Sequence, residues 1–299
     1  MSFLIFTIYG SNYKVSSDNP AIIERLSSDF SYFMVENKAK IQESIYVHIQ
    51  TPPWEVLPKK AAVKQTETSI IYEEGPTRYN DYHGEALTSY NQASGENHVY
   101  SSDLQRAHEL TYLLLLSKSG KSMDLHGYHK LHAMGVQYKK TNLLLVSSSK
   151  GGKSTHFLDL LRDPEVKIYS DDTPVIESSG KLRPFPLRVG CETPNQLPDY
   201  IDKEQTYTLE RKSYGRKVLI PLKALDRQIA TDSPSMKTLL LIAKRSRKDS
   251  PTLKRMSLFQ SFSPMAKYFI IGFGLPMVLE HFFESGYKDI LKRFVIIFK

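Results

Sequence analysis

A chain of 299 residues is long enough for one large or two ordinary domains, and 40% hydrophobic residues can fill cores of that size. One cysteine, Cys191, excludes an internal disulfide and a thiolate metal cluster, so we expect a cytoplasmic protein in which this thiol is a small packing residue. The formal net charge of +8 favours an acidic partner, and an acidic peptide or phosphate groups explain it at least as well as nucleic acid, because the basic clusters lack a groove-reading element or stacking aromatics. For the cluster Lys244–Lys248, a solvated loop is the simpler explanation.

The first third of the chain mixes strand and helix patterns. The predicted elements are a strand at Phe3–Tyr9, a helix opened by Asn19-Pro20, a strand at Tyr46–Ile49, and short antiparallel strands at Ser69–Tyr72 and His98–Tyr100. No catalytic signature occurs among them. Residues 1–100 are therefore predicted to form a small α/β accessory domain, with substrate docking as one use.

The sequence predicts no membrane segment. The chain begins Met-Ser-Phe without a basic stretch or a small-residue cleavage site, so we expect no signal peptide. The longest apolar stretch, Tyr268–Leu279, contains a proline and stops at Glu280. A buried core segment is favoured over a membrane span at that length.

A strong helix pattern begins after Ser102-Asp103, a predicted N-cap, and is expected to end near Gly120. Three histidines then follow at intervals of three residues, His126, His129 and His132. That spacing, interrupted by a glycine, does not place three rings on one helical face, so surface exposure of the first two is favoured over a metal site. His132 is better explained as a polar neighbour of the phosphate site predicted next.

The stretch from Thr141 to Thr173 carries the main functional signal. Its apolar run Leu143–Val146 predicts a buried strand, SSSKGGKST predicts a loop, and the apolar spacing from Phe157 to Leu161 predicts a helix. This order is typical of a phosphate site, because backbone N–H groups at the helix N-terminus face the anion. The predicted nucleotide-binding set is Ser149, Lys150, Gly151, Gly152, Lys153, Ser154 and Thr155.

Two side chains of this loop have predicted roles. The Lys153 ammonium is expected to reach the β- and γ-phosphates of a nucleotide, and the Ser154 hydroxyl to bind its Mg²⁺. The match to G-x-x-x-x-G-K-[ST] is incomplete, because Ser147 stands at the first glycine position. The alternative is a glycine-assisted helix start capped by Ser or Thr.

A second predicted strand, Val166–Tyr169, ends in Ser170-Asp171-Asp172. If it runs parallel to the strand before the loop, both carboxylates lie at the sheet edge that carries the loop. Two adjacent acids there can divide their work between a metal and a proton. The alternative is a solvated turn before Thr173-Pro174.

Several further elements are predicted after the acid pair, and beyond residue 243 a helical pattern alternates with the apolar stretch Tyr268–Leu279. The elements are a hairpin within Val175–Leu182 that turns at Ser179-Gly180, two strands at Thr206–Leu209 and Lys217–Ile220 around a basic turn, a strand at Met236–Ala243, and a terminal helix and strand in residues 276–299.

Three motifs occur in order: His132-Ala133-x-Gly135-Val136, the SSSKGGKST loop, and the SDD run. Together they resemble the catalytic domain of HPr kinase/phosphorylase and its relatives, a family that shares its P-loop fold with phosphoenolpyruvate carboxykinase. The likeness covers about residues 100–225. It implies an α/β protein with a mixed-sheet P-loop kinase domain at residues 101–299 and the smaller α/β domain at residues 1–100.

The resemblance also implies a role for each matching residue. ATP and Mg²⁺ are the implied cofactors, and the implied roles are proton acceptor for Asp171, neighbour of the catalytic acid for His132, phosphate ligand for Lys153, and metal ligands for Ser154 and Asp172. The family has glycine where Ser147 and Lys150 stand here, so either the loop shape or the nucleotide affinity differs.

The leading hypothesis is a kinase that transfers the γ-phosphoryl group of ATP to a serine of a peptide or small protein. The resemblance implies either HPr or a ribosomal peptide natural-product precursor, such as a lasso peptide, as the acceptor, and we favour a stand-alone peptide kinase. Three alternatives stay open: a nucleotide-binding module without turnover, an HPr-type kinase/phosphorylase, and a carboxykinase- or phosphatase-type enzyme. A homo-oligomer is also left open.

Overall fold

The computed structural model describes residues 1–36, 40–147, 151–211, 215–225, 227–231, 236–244, 253–257 and 260–261. It is a mixed α/β protein with several sheets and few helices among these residues. Its contacts separate two compact units, one running from Met1 to Met123 and the other beginning at Asp124. The predicted terminal helix and strand at 276–299, and the apolar stretch Tyr268–Leu279, lie outside the described residues.

The first unit is built on an eight-stranded sheet in the order β1-β2-β3-β8-β7-β6-β5-β4. Its strands are β1 Ser2–Ile8, β2 Ser11–Ser17, β3 Glu43–Ile49, β4 Lys64–Gln65, β5 Ile70–Glu74, β6 Thr77–Asp81, β7 Ala86–Asn91 and β8 Glu96–Ser101. Two helices accompany the sheet, α1 Pro20–Asp29 and α2 Leu104–Leu125, with 3₁₀ turns at Ser31–Phe33 and Trp54–Val56. The strands and the helix starts predicted for this part of the sequence are confirmed.

Local sequence signals fix both helix starts. The Asn19 side chain accepts a hydrogen bond from the Ala21 N–H and Pro20 opens α1, whose buried Ile22 and Leu26 pack inward. Asp103 caps α2 by accepting from the Gln105 N–H at 2.7 Å.

The predicted end of the second helix near Gly120 is wrong. The helix α2 continues through that buried glycine to Leu125, because packing outweighs the propensity cost of about 1 kcal/mol for a helical glycine. Gly127 follows with φ +78°, a left-handed conformation that glycine adopts without strain. The contacts within the structure assign α2, apart from its last two residues, to the first unit. The domain boundary predicted from the sequence lies earlier, at residue 100.

The second unit holds three smaller sheets, in the orders β12-β10-β11-β18, β14-β13-β9 and β15-β17-β16. Its elements are β9 Tyr128–Lys130, β10 Met134–Tyr138, β11 Thr141–Val146, α3 Lys153–Leu160, β12 Val166–Ser170, β13 Val175–Glu177, β14 Leu182–Arg183, β15 Val189–Cys191, β16 Tyr207–Arg211, β17 Gly215–Ile220, α4 Leu222–Leu225 and β18 Lys237–Ile242. Short 3₁₀ turns occupy Pro194–Gln196 and Lys203–Gln205. The hairpin at Ser179-Gly180 and the strand pair around the basic turn are confirmed.

A hydrophobic core fixes α3 against the four-stranded sheet. Phe157 in α3 and Leu161 just after it are buried together with Met134 and Ile168 from the strands. Burial of a phenylalanine contributes roughly 1.5–3 kcal/mol. The start of α3 is therefore held in place at the sheet edge. Within the described ranges, we find no helix that is both long and apolar enough to cross a bilayer.

Candidate functional site

The topology brings three chain segments to one edge of the four-stranded sheet. Strands β11 and β12 both pair antiparallel with β10, so they run in the same direction and their carboxyl ends share an edge. The segment that precedes β10 lies at this edge too, since Met134 pairs with Leu145 and Gly135 pairs with Ser170. The start of α3, the acid pair and His132 therefore meet at one place.

The helix α3 begins at this edge. Gly152 is its N-cap with φ +85°, a conformation that side-chain-bearing residues rarely adopt, and Lys153 is the first helical residue. Gly152 has no side chain to cap the helix, and the first N–H groups of a helix have no intrahelical partner. Thr155 is exposed on the first turn and Gly151 is half-buried. The predicted ligands Ser149 and Lys150 lie outside the described residues.

Lys153 is buried, with 8% of its side chain exposed. Its Nζ lies 3.2 Å from His132 Nε2, 3.2 Å from the Ser147 carbonyl oxygen and 3.9 Å from Asp172 Oδ1. A buried ammonium is tolerated only with such partners. The lysine is thus fixed at the centre of the edge, between the loop and the acid pair.

Ser154 and Asp171 form the second contact of the site. The Ser154 hydroxyl donates to Asp171 Oδ2 at 2.9 Å, and Asp171 Oδ1 is buried with no hydrogen-bond partner among the described residues. Burial, followed by the neighbouring charge of Asp172, raises the pKa of Asp171 from 3.8 to about 7. The site therefore holds a carboxyl group that is short of positive partners.

Asp172 has the opposite environment. Its Oδ1 lies 3.2 Å from His132 Nδ1, and its side chain is 44% exposed. Burial would raise the pKa of Asp172, but the hydrogen bond and charge of His132 and the charge of Lys153 outweigh it, so the pKa is lowered. Asp172 is thus an ionised carboxylate that solvent can reach.

Of the three histidines in the sequence run, His132 is the one that contacts the acid pair and Lys153. His126 is exposed, and His129 Nδ1 lies 3.1 Å from Asp124 Oδ1. Surface exposure was predicted for both of these histidines; it holds for His126, whereas the His129 side chain is only 17% exposed because it packs beside Asp124.

Lys217 on β17 is a further charged residue that was not predicted from the sequence to influence the site. Its charge lowers the pKa of both Asp171 and Asp172, and it also acts on Cys191, whose pKa burial raises to about 11. Nothing in the local sequence GRKVLI distinguishes this lysine from a surface residue. Its place in the fold is set by the pairing of β17 with β15, a contact between distant parts of the sequence.

No protein-family model matches this sequence, and a search of curated proteins finds no matching relative. The evidence on function therefore comes from the chemistry of the site itself. A buried ammonium, a helix N-terminus and a serine hydroxyl can bind a polyanion, and two carboxylates in different environments can bind a divalent cation and accept a proton.

Proposed function

We propose that this chain is an ATP-dependent kinase that transfers the γ-phosphoryl group to a serine hydroxyl of a peptide or small protein. On this proposal, residues 101–299 form a P-loop catalytic domain of the HPr kinase and phosphoenolpyruvate carboxykinase type. The observation that carries it is the cluster at one sheet edge, which consists of the start of α3 with Lys153, the pair Ser154 and Asp171, and the pair His132 and Asp172. Phosphoryl transfer needs positioning and charge neutralisation more than covalent chemistry, and this cluster offers both.

The phosphates would be held by Lys153 and the first turn of α3. In the structure the Lys153 ammonium has a carbonyl oxygen and an imidazole as its two nearest partners. Phosphate oxygens are stronger acceptors because they are charged, so a nucleotide can take the lysine from these partners. The positive end of the helix dipole adds to the attraction.

Mg²⁺ fits the pair formed by Ser154 and Asp171. Asp171 Oδ1 is buried without a hydrogen-bond partner in the described parts of the chain, which is the environment of an oxygen that a cation would satisfy. The described residues contain no group of three His, Cys, Asp or Glu side chains able to hold a metal. Mg²⁺ suits such a site, since it is commonly bound by one or two carboxylates together with phosphate oxygens and water. Its chemical contribution would be to neutralise charge on the β- and γ-phosphates.

The contacts support exchanging the two roles that were predicted from the sequence, proton acceptor for Asp171 and metal ligand for Asp172. A metal ion must contact both of its protein ligands at once. The Ser154 hydroxyl is hydrogen-bonded to Asp171, whereas Asp172 faces His132. A proton acceptor must be reachable and ionised, and Asp172 is 44% exposed with a lowered pKa. We therefore assign Asp171 to the metal and Asp172 to the serine proton, with His132 orienting the Asp172 carboxylate.

The charge distribution supports an acidic acceptor. Residues 124–299 carry 29 lysines and arginines against 18 aspartates and glutamates, whereas residues 1–123 carry 11 against 14. A basic catalytic unit attracts both a nucleotide and an acidic peptide. This supports a peptide with acidic residues around its serine.

The test uses γ-labelled ATP, Mg²⁺ and a degenerate peptide library with a fixed central serine flanked by acidic residues. An otherwise identical library with alanine at the centre is the substrate control. We expect label in the serine library alone. Lys153→Ala should lower the transfer rate by at least about 100-fold, the scale of losing one preorganised electrostatic contact. Lys181→Ala, at an exposed position in the same unit, is the matched control and should transfer label normally.

Two outcomes would argue against the kinase. Equal labelling by Lys153→Ala, with an unchanged unfolding temperature, would exclude this lysine from a phosphate site. ATP binding without label in either library would instead favour the nucleotide-binding module without turnover.

A further inference from the structure

The four-stranded sheet has two edges, and only one of them has a backbone partner among the described residues. The order β12-β10-β11-β18 places β12 at one edge and β18 at the other. At the β12 edge, the Ile168 N–H donates to the Gln228 carbonyl at 2.9 Å, and the Ala230 N–H donates to the Ile168 carbonyl at 2.8 Å. Within the described ranges, β11 is the one strand that pairs with β18. The outer edge of β18, called the open edge below, is therefore without a strand partner in this part of the chain.

The pairing of β18 with β11 shows which backbone groups face the open edge. The two strands are parallel, and the Ala243 N–H just after β18 donates to the Val146 carbonyl of β11 at 2.8 Å. The backbone groups of successive residues in a strand point to alternate edges of that strand. Those of Thr238, Leu240 and Ile242 therefore face away from β11, toward the open edge.

The side chains of β18 do not protect this edge. Natural sheets keep their edge strands from pairing with other chains by means of charges, proline or a bulge. Here four apolar residues follow one another, with Leu239 50% exposed and the next three, Leu240, Leu241 and Ile242, half-buried. An apolar strand with free backbone groups along one side has the properties of a surface to which an extended peptide adds as a further strand.

The carboxyl end of β18 lies beside the candidate site. Ile242 pairs with Val146, and the next residue along the chain, Ser147, accepts a hydrogen bond from the Lys153 ammonium. Neighbouring strands are about 4.8 Å apart, so a strand added to β18 would lie about 10 Å from β11. About three or four extended residues at about 3.3 Å each span that distance. A serine that many residues beyond the added strand can therefore reach the site.

Positive charge follows β18 in the sequence at this same end. Residues 244–248 read KRSRK, and Lys244, the one of them that the structure describes, is exposed. Such a segment attracts acidic side chains. The open edge thus suits a peptide whose apolar part pairs with β18 and whose acidic part lies next to the serine.

We propose that the open edge of β18 is the docking site of the acceptor peptide, which adds to the four-stranded sheet as a fifth strand. This inference rests on the proposed kinase function. Main-chain hydrogen bonds to Thr238, Leu240 and Ile242 hold the peptide, and its apolar side chains pack beside those of β18. The acidic stretch with the serine leaves the sheet at the carboxyl end of β18 and enters the site.

The test measures peptide binding separately from phosphoryl transfer. The probes are fluorescein-labelled peptides with an alternating valine and threonine segment of about five residues, a spacer of about three alanines and glycines, and a serine flanked by aspartates. The serine follows the segment in one probe and precedes it in the other, to cover both strand directions. Fluorescence anisotropy of each probe is titrated with the full-length protein in the presence of Mg²⁺ and a non-hydrolysable ATP analogue.

N-methylation of the probe identifies pairing through the main chain. A series of peptides carries one N-methyl group, moved along the valine and threonine segment one residue at a time. Only every second N–H of an added strand faces β18. We therefore expect the affinity to fall by about 3- to 10-fold at alternate positions, the range for one hydrogen bond, and to change little at the positions between them.

Thr238→Pro tests the same edge from the side of the protein. The Thr238 side chain is exposed and its N–H faces the open edge, so proline removes no hydrogen bond of the sheet while its ring occupies the edge. We expect peptide binding to weaken by at least about 10-fold, with the affinity for the ATP analogue and the unfolding temperature unchanged. Lys203→Pro, at the exposed first residue of the 3₁₀ turn Lys203–Gln205, is the matched control and should bind peptide normally.

The outcomes separate this proposal from the kinase proposal. An alternating pattern in the N-methyl series, with the loss in Thr238→Pro, supports docking on β18 even if the wild type transfers no phosphate. Equal losses at successive N-methyl positions, or normal binding by Thr238→Pro, overturn it even in an active kinase. Slow amide exchange of Leu240 and Ile242 without peptide would assign the edge to another segment of this chain, and a dimer that Thr238→Pro dissociates would assign it to a second copy.

Discussion

Replacement of Asp171 by asparagine should stabilise the ligand-free protein at neutral and alkaline pH. The pKa of this carboxyl rises from 3.8 to about 7 in the folded chain, mainly through burial and then through the charge of Asp172. A raised pKa means that the folded state binds the proton more tightly than the unfolded state. Its stabilising contribution is fully present below pH 3.8 and is lost as the pH rises through about 7.

The magnitude follows from the shift. About three pKa units correspond to about 4 kcal/mol at 1.36 kcal/mol per unit. Water screens part of this, because the Asp171 side chain is not fully buried. We therefore expect Asp171→Asn to raise the free energy of unfolding by about 2 kcal/mol at pH 8, with the difference vanishing near pH 4. The asparagine oxygen can still accept the hydrogen bond from Ser154.

The measurement is scanning calorimetry of the wild type and the variant between about pH 4 and about pH 8.5, without nucleotide or metal. Tryptophan fluorescence would not report on this unit, since the single tryptophan is Trp54 in the first unit. Asp172→Asn is the matched control and should destabilise at pH 8, because the pKa of Asp172 is lowered. A stability difference for Asp171→Asn that is independent of pH, or a loss of stability at pH 8, would refute the reasoning.

Three further predictions follow from single contacts. With a non-hydrolysable ATP analogue present, Mg²⁺ should raise the unfolding temperature of Asp172→Asn but not that of Asp171→Asn in a thermal-shift assay. The opposite pattern would restore the roles predicted from the sequence. Gly152→Ala should lower the free energy of unfolding by about 1 kcal/mol, because alanine is strained at φ +85°, and denaturant titration would show no change if the loop relaxes freely. His108→Ala should destabilise the first unit by about 3 kcal/mol, because the fully buried carboxyl of Asp29 loses the ring nitrogen that lies 3.1 Å from it. An unchanged unfolding midpoint by Trp54 fluorescence would contradict this.

The local elements of the fold could be predicted because each has a local cause. Asn19-Pro20 starts a helix by capping, and Ser179-Gly180 turns a hairpin because glycine adopts φ +85° there. The end of α2 could not be predicted from a local sequence signal. Gly120 is a weak stop signal, and packing around the buried helix decided the outcome, while the actual end lies just before Gly127.

The candidate site shows the same division between local and non-local information. The loop, His132 and the acid pair were found because their order in the chain is visible in the sequence. Their meeting depends on β10 lying between β11 and β12, which places all three at one edge. The effect of Lys217 on the pKa values of the acid pair could not be predicted, because the place of this lysine depends on the pairing of β17 with β15, more than twenty residues away in sequence.

The two aspartates show where sequence reasoning ends. Asp171 and Asp172 are adjacent and identical, and successive residues at a strand end point in different directions. Which of them faces Ser154 and which faces His132 is set by tertiary structure alone. Their pKa values therefore move in opposite directions despite identical chemistry.

Several unfavourable features occur together at this edge of the sheet. Lys153 is a buried ammonium, Gly152 leaves the start of α3 without a side-chain cap, and Asp171 is a carboxyl whose pKa is raised to about 7. Each one costs folding free energy, and an apolar residue or a capped helix start would be more stable at each position. Local conflicts of this kind concentrate at functional sites, where the stability lost in the free protein is recovered on binding. A ligand that supplies negative charge to the lysine and a cation to the carboxyl would relieve two of them at once, and a nucleotide with its Mg²⁺ has that combination of charges.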